Sequence, residues 1–154
     1  MNKLIKIYTD GSSIGNPGPG GYGIVMLTED GKYKKEFSQG FKITTNNRME
    51  LLAVIIGLEN LKHKNCNVKI YTDSKYVSDA VEKGWLFDWE KKDFKNKKNP
   101  DLWRRFLEIY KNHNIKFKWI KGHNNNFYNE RCDFLANLAA KNSNLSEDKG
   151  YTIN

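Results

Sequence analysis

Four carboxylates in this sequence stand where chemistry could be done. The tetrapeptide Ile-Tyr-Thr-Asp occurs twice, ending at Asp10 and at Asp73, and each copy closes a β-branched, aromatic run of strand character. Ligands of α/β sheets bind beyond the carboxyl ends of strands, so both acids stand where a ligand would arrive. Glu50 falls in the first turn of an apolar helical stretch, "MELLAVIIGL", and Asp133 in the first turns of another, "NERCDFLA". Strand-end carboxylates brought together repel unless a cation lies between them. Four oxygen donors suit Mg²⁺ or Mn²⁺, and no His or Cys framework offers a zinc site. Each acid also has an ordinary reading. An Asp after a strand turns the chain, Asp73 caps the helix that follows it, and Glu50 complements its helix dipole. Spacing leaves both readings open.

Bringing these acids together requires a sheet. Strand character covers residues 3–9, 22–28, 33–43, 67–73 and 115–121, with Asp30-Gly31 as a turn between the second and third strands. The glycines and prolines of "GSSIGNPGPGG" read as a loop. In "NRMELLAVIIGLENLK", Leu51, Leu52, Ile55, Leu58 and Leu61 fall at helical spacing, with Asn46 or Asn47 as the N-cap. Further helices are "SKYVSDAVEKG", stopped by Gly84, then "DLWRRFLEIYKNH" and "NERCDFLANLAAKN". Residues 85–100 read as irregular and basic, and the tail after Asn142 as polar and frayed. The predicted order is βββαβααβα, an α/β fold with a mixed five-stranded sheet. If strands one and four are parallel neighbours joined by a right-handed crossover, Asp10 and Asp73 converge.

Composition narrows the partner. A chain of 154 residues with 38% hydrophobic and 13% aromatic residues predicts one domain, 1–154, with a core of its own. The net charge of +8 favours an anionic partner, nucleic acid first. Cys66 and Cys132 have no metal-ligand spacing and read as free thiols in a reducing compartment. No stretch is long enough for a membrane span or a signal peptide, so the expected location is cytoplasmic.

Five motifs in order, "YTDGSSIGNPGPGGYG", "TTNNRMEL", "YTDSKYV", "IKGH" and "NERCDFLA", resemble the type 1 ribonuclease H family in its bacterial form, over about residues 3–153. The resemblance implies an endonuclease that cuts the RNA strand of RNA–DNA hybrids with two Mg²⁺ ions, leaving 3′-hydroxyl and 5′-phosphate ends. It implies the ribonuclease H-like fold, with sheet order 3-2-1-4-5 and helices on both faces. The matching metal ligands are Asp10, Glu50, Asp73 and Asp133, with Asp10 shared by both ions and Mn²⁺ able to substitute. His123, after "IKG", matches a loop histidine that assists proton transfer or product departure.

The resemblance also implies how the hybrid is read. Asn16, Asn46 and Asn47 match positions that meet the minor groove and the ribose 2′-hydroxyl, for which an amide both donates and accepts. Thr45 matches a phosphate-pocket threonine, and the role of Arg48 is left open. Gly11, Gly15, Gly18, Gly20 and Gly21 are expected to let the backbone approach the substrate strand. "KKDFKNKK" carries Lys91, Lys92, Lys95, Lys97 and Lys98 against one Asp. It matches a basic protrusion that grips the DNA strand, with Trp85 against DNA sugars and Trp89 and Trp103 mainly in the core. A solvated charge run is the ordinary alternative. Lys75 stands where relatives often carry Gln, so a phosphate contact replaces a base contact there. "NNNFY" after His123 replaces a Pro-containing pattern, which puts the family's loop mobility and pH profile in doubt here. A monomer is expected.

Three other functions fit parts of the pattern. A DNA nuclease or strand-transfer protein on the same fold would lack 2′-hydroxyl discrimination. A non-catalytic hybrid-binding module would lack an acid, yet all four are present. A domain of a reverse-transcriptase polyprotein is disfavoured by the Met1 start and the basic protrusion. With no hybrid-binding domain before residue 3, affinity is expected to come from this domain alone.

Overall fold

A computed structural model describes residues 3–122 and 125–151 of the chain. Three strands come first: β1 (Leu4–Ser13), β2 (Gly18–Thr28) and β3 (Lys34–Thr44). They form an antiparallel meander, with β1 against β2 and β2 against β3. Gly31, at φ 74°, makes the β2–β3 turn, and Asp30 Oδ1 accepts from Thr28 Oγ1 and Lys32 N. Helix α1 (Asn46–Glu59) then crosses to β4 (Asn67–Thr72), which lies parallel to β1. Helices α2 (Lys75–Glu82), α3 (Trp85–Lys91) and α4 (Pro100–Tyr110) precede β5 (Asn114–Trp119), parallel to β4, and α5 (Phe127–Ala140) follows. The sheet order is 3-2-1-4-5, as the resemblance implies.

Helix α1 is buried nearly all round, because β1 and β2 lie beneath it and α4 above. Its core, with Ile7, Leu51, Ile55, Ile70, Leu86, Trp103 and Phe106, fills one side of the sheet. On the other side α5 packs on β1, β2 and β3 over Tyr8, Val25, Leu27 and Cys132. Helices therefore stand on both faces.

The structure corrects four expectations. Residues 11–13 and 18–21 are strand, not loop. Their glycines are small because protein packs against them: a Cβ on Gly21 would lie 2.6 Å from Ala136 O of α5. The same crowding surrounds Gly11, Gly18 and Gly20, so these glycines serve internal packing. The N-cap of α1 is Thr45, whose Oγ1 accepts from Arg48 N at 3.2 Å. Part of the basic stretch is helical, as α3, launched from Gly84 at φ 78°.

The fourth correction concerns the tail, which is docked. Ser146 bridges to β3, donating its N–H to Gly40 O at 2.9 Å and accepting from Lys42 N at 2.8 Å. Asp148 accepts from Thr44 Oγ1 and from Arg48 Nε, each at 2.7 Å. Arg48 itself is 2% exposed and also pairs with Asp101 of α4 at 2.8 Å. A buried guanidinium needs such partners, since an unpaired charge in the core is costly. Arg48 thus locks the start of α1 to α4 and to the tail.

Candidate active site

Asp10 and Asp73 leave neighbouring parallel strands at the same level, because Tyr8 pairs with Tyr71 two residues earlier. Glu50 reaches them from the start of the second turn of α1, one turn further in than the sequence places it. That approach depends on Gly11: a Cβ there would lie 2.3 Å from Met49 C and 2.4 Å from Glu50 N. The result is a cluster in which carboxylate oxygens of Asp10, Glu50 and Asp73 all lie within 4.8 Å of one another. Asp133, on α5, interacts electrostatically with Asp10 but lies outside this tight group. Its carboxylate accepts from Asn137 Nδ2 at 3.1 Å, one turn further along the helix. Gly122 closes the cluster from the β5 side, where a Cβ would lie 2.7 Å from Asp73 Oδ2.

The electrostatics show what the cluster lacks. Asp10 is 5% exposed; burial, then the charge of Asp73, push its carboxyl up to about 8. Burial, then Asp10 and Asp73, raise Glu50 well above the ordinary carboxylate range. Part of Glu50 reaches solvent, but its Oε1 is shut off from it and has no hydrogen-bond partner. Among the described residues no lysine or arginine forms an ion pair with any of the four acids. All-oxygen donors, an orphaned buried oxygen and no cationic partner fit a hard divalent cation.

Around the cluster the structure places the other expected residues. Asn16 Oδ1 accepts from Asn46 N at 3.1 Å, and Asn46 Oδ1 accepts from Ser13 N at 2.7 Å, so β1, the following turn and α1 are tied at one rim. Asn46 and Asn47 are exposed. Lys75 Nζ lies 4.6 Å from the Trp119 ring centre, and Trp119 donates to Asp73 O at 2.9 Å. His123 lies outside the described residues.

Further off, Trp85 is 45% exposed at the head of α3. Lys91, Lys92, Lys95, Lys97 and Lys98 are all exposed. With Trp89, several of them line a cleft of about 460 Å³ on the protrusion. Trp103 is fully buried and Trp89 packs edge-on against it at 5.9 Å. Motif reading missed Gly122 as a wall of the site. Its place one residue before His123 was the available signal.

The family model described as RNase H matches residues 2–141. The chain belongs to the RNase H family. It is 57% identical over 151 residues to a protein named Ribonuclease H from Desulforamulus reducens, covering 95% of this chain and 93% of that one. Among solved structures, LC9-RNase H1, described as a type 1 RNase H with the type 2 active-site motif, superposes with a TM-score of 0.81 at 30% identity, covering 91% of this chain and 73% of that one. LC11-RNase H1, solved in complex with RNA/DNA hybrid, gives 0.68 at 30% identity, covering 88% and 96%. The RNase H family is metal-dependent, and the acidic cluster supplies donors of the right kind. Among the described residues no helix is long and apolar enough to cross a membrane.

Proposed function

We propose that this protein is an endonuclease that hydrolyses the RNA strand of RNA–DNA hybrids, leaving 3′-hydroxyl and 5′-phosphate ends. The observation that carries the reading is the convergence of Asp10, Glu50 and Asp73 without a cationic partner. Membership of the RNase H family supports it. The cofactor is Mg²⁺, two ions, with Mn²⁺ as a substitute. Asp10, Glu50 and Asp73 would hold the ions, with Asp133 joining from α5. Bound ions would supply an activated water and offset the charge that builds on the phosphate and the leaving oxygen.

The chain's own residues do the rest. Gly122 leaves room on the β5 side for the Asp73 carboxylate, which a Cβ there would crowd. His123 takes or returns a proton at its imidazole near neutral pH. Asn16, Asn46 and Asn47 read the 2′-hydroxyl at the rim, where the hydrogen bonds described above fix the orientation of Asn16 and Asn46. Thr45 keeps its cap bond and uses its hydroxyl hydrogen on a phosphate of the DNA strand. Lys75, Trp85, Lys91, Lys92, Lys95, Lys97 and Lys98 hold the DNA strand through backbone contacts that carry no sequence preference. The protein works as a single-domain cytoplasmic monomer.

The test is cleavage of end-labelled hybrid with Mg²⁺, beside duplex DNA and duplex RNA. Cutting confined to the RNA of the hybrid, and lost with Asp10→Asn or with EDTA, is the expected result. Binding without cutting, or cutting of DNA, would overturn the proposal.

A further inference from the structure

Helix α5 covers the sheet unevenly. Its backbone meets Gly23, Gly21 and Gly40, so it lies over the end of the sheet that carries the carboxylates. The rows nearer the start of β1 continue past it, across β4 and β5. The strand registers set Lys34, Leu27, Lys6, Lys69 and Lys116 side by side in one row across all five strands. Two residues nearer the carboxylates, Tyr8, Tyr71 and Lys118 form another row. Lys6 and Lys69 are half-buried, while Lys34, Lys116 and Lys118 are exposed. Tyr71 stacks on Tyr8 with ring centres 4.4 Å apart, and Lys69 Nζ lies 5.5 Å from the Tyr71 ring centre.

Neighbouring strands lie about 4.8 Å apart, and like charges directly opposite each other weaken a sheet. Lys6, Lys69 and Lys116 stand in that position on three adjacent strands. Among the described residues none of them, nor Lys118, forms an ion pair. Fold stability does not account for such a row; an anion laid across it does. The row begins about 13 Å from Asp10 and Asp73, four strand residues back. Lys118 stands between.

We infer that this open half-face binds the phosphate backbone of single-stranded nucleic acid flanking the hybrid. The inference rests on the proposed function, which sets a hybrid at the carboxylates. A duplex seated there also meets the protrusion, which stands on the α1 side of the sheet. With a persistence length of about 150 base pairs it cannot turn onto the opposite face within one domain. A single strand leaving the hybrid can, and a lysine row with an aromatic stack beside it suits that ligand.

The test compares a short blunt hybrid with the same hybrid carrying a single-stranded RNA extension, for wild type and for the K6Q/K69Q/K116Q/K118Q variant. Wild type should bind the extended hybrid more tightly and with a steeper salt dependence. The steepening should be about 0.7 in log–log slope for each phosphate contact, so between about 2 and 3 for the set. The variant should bind both substrates alike and cleave the blunt hybrid at the wild-type rate. Relief of like-charge repulsion should leave it melting no lower than wild type. Should it melt lower, K116Q/K118Q on the exposed edge strand carries the same test with about half the slope change. An extension that adds nothing to wild-type binding, or a variant that weakens blunt and extended hybrids equally, would overturn the inference. Failure of wild type to cleave the blunt hybrid would instead overturn the proposed function, and extension-dependent binding would still decide this one.

Discussion

Two clusters of acids flank the N-terminal end of α1, and they are built on opposite principles. Asp101 and Asp148 converge on Arg48, which takes one on each edge of its guanidinium at 2.7–2.9 Å. Asp10, Glu50 and Asp73 converge on one another, with no cation from the chain. Arg48 and Glu50 are two residues apart, so the same end of α1 serves both. In the first cluster the hydrogen bonds and charge of Arg48 outweigh the effect of burial and hold the Asp101 carboxyl below its ordinary value. In the second, burial and mutual repulsion raise Asp10 and Glu50. A protein that can satisfy one carboxylate group so fully and leaves another bare two residues away has kept the second for an external cation.

The contrast can be broken from either side. The largest effect should come from Asp73→Asn, which removes a donor and a repulsive charge together. Cleavage should fall by about 10³-fold or more. The melting temperature should hold or rise, because a like charge has left the cluster. Loss of stability with retained turnover would reverse the assignment of the two clusters. Next, Arg48→Ala leaves Asp148 without its cation and should cost about 3–5 kcal/mol in urea unfolding. A cost of under about 1 kcal/mol, the range of an exposed pair, would mean that the network is ornamental.

A smaller effect sharpens the contrast. Mg²⁺ at about ten times its dissociation constant should stabilise wild type by roughly 1.4 kcal/mol, and Asp10→Asn by much less, in thermal melts. Equal stabilisation of both would place the ion elsewhere. The smallest should be the acid response of the structural cluster. The Asp101 carboxyl is depressed in the folded state, so its contribution is present above the unfolded value, about 3.9, and fades as pH falls through the folded one. Asp101→Asn should remove that part of the stability slope in unfolding titrations below about pH 4. An unchanged slope would detach Asp101 from Arg48.

What the sequence revealed follows the same division. Asp10 and Asp73 were legible because a strand-end acid repeated in one motif needs only local pattern and one parallel pairing to bring it together. Glu50 was legible as an acid misplaced beside an apolar stripe. Asp133 was legible by motif, but that it stands outside the tight trio, bonded to Asn137 one turn away, was not. The docked tail was not legible: Ser146 and Asp148 are polar residues whose partners, Gly40 and Arg48, lie about a hundred positions earlier. Gly20 and Gly21 read as loop because a glycine that bends the chain and one that admits a helix look alike in one dimension. The α3 helix was hidden by lysines and aromatics of mixed period. Left-handed residues at Asp93, Phe94, Asn96 and Asn99 make the remainder irregular, as expected.

The Arg48 pairing also has a temporal side. Asp148 lies 100 residues after Arg48, so a nascent chain carries the arginine long before its carboxylate has been made. At about 5–20 residues per second, that interval lasts several seconds. Until then α1 can settle on the sheet only with a half-matched guanidinium at its head. A chain clipped or released short of Asp148 keeps that defect permanently, beside the turn that holds Glu50. The segment around Ser146 and Asp148 therefore reports that synthesis has reached it: a chain that gets that far closes the lock, and one that stops short leaves Arg48 half matched.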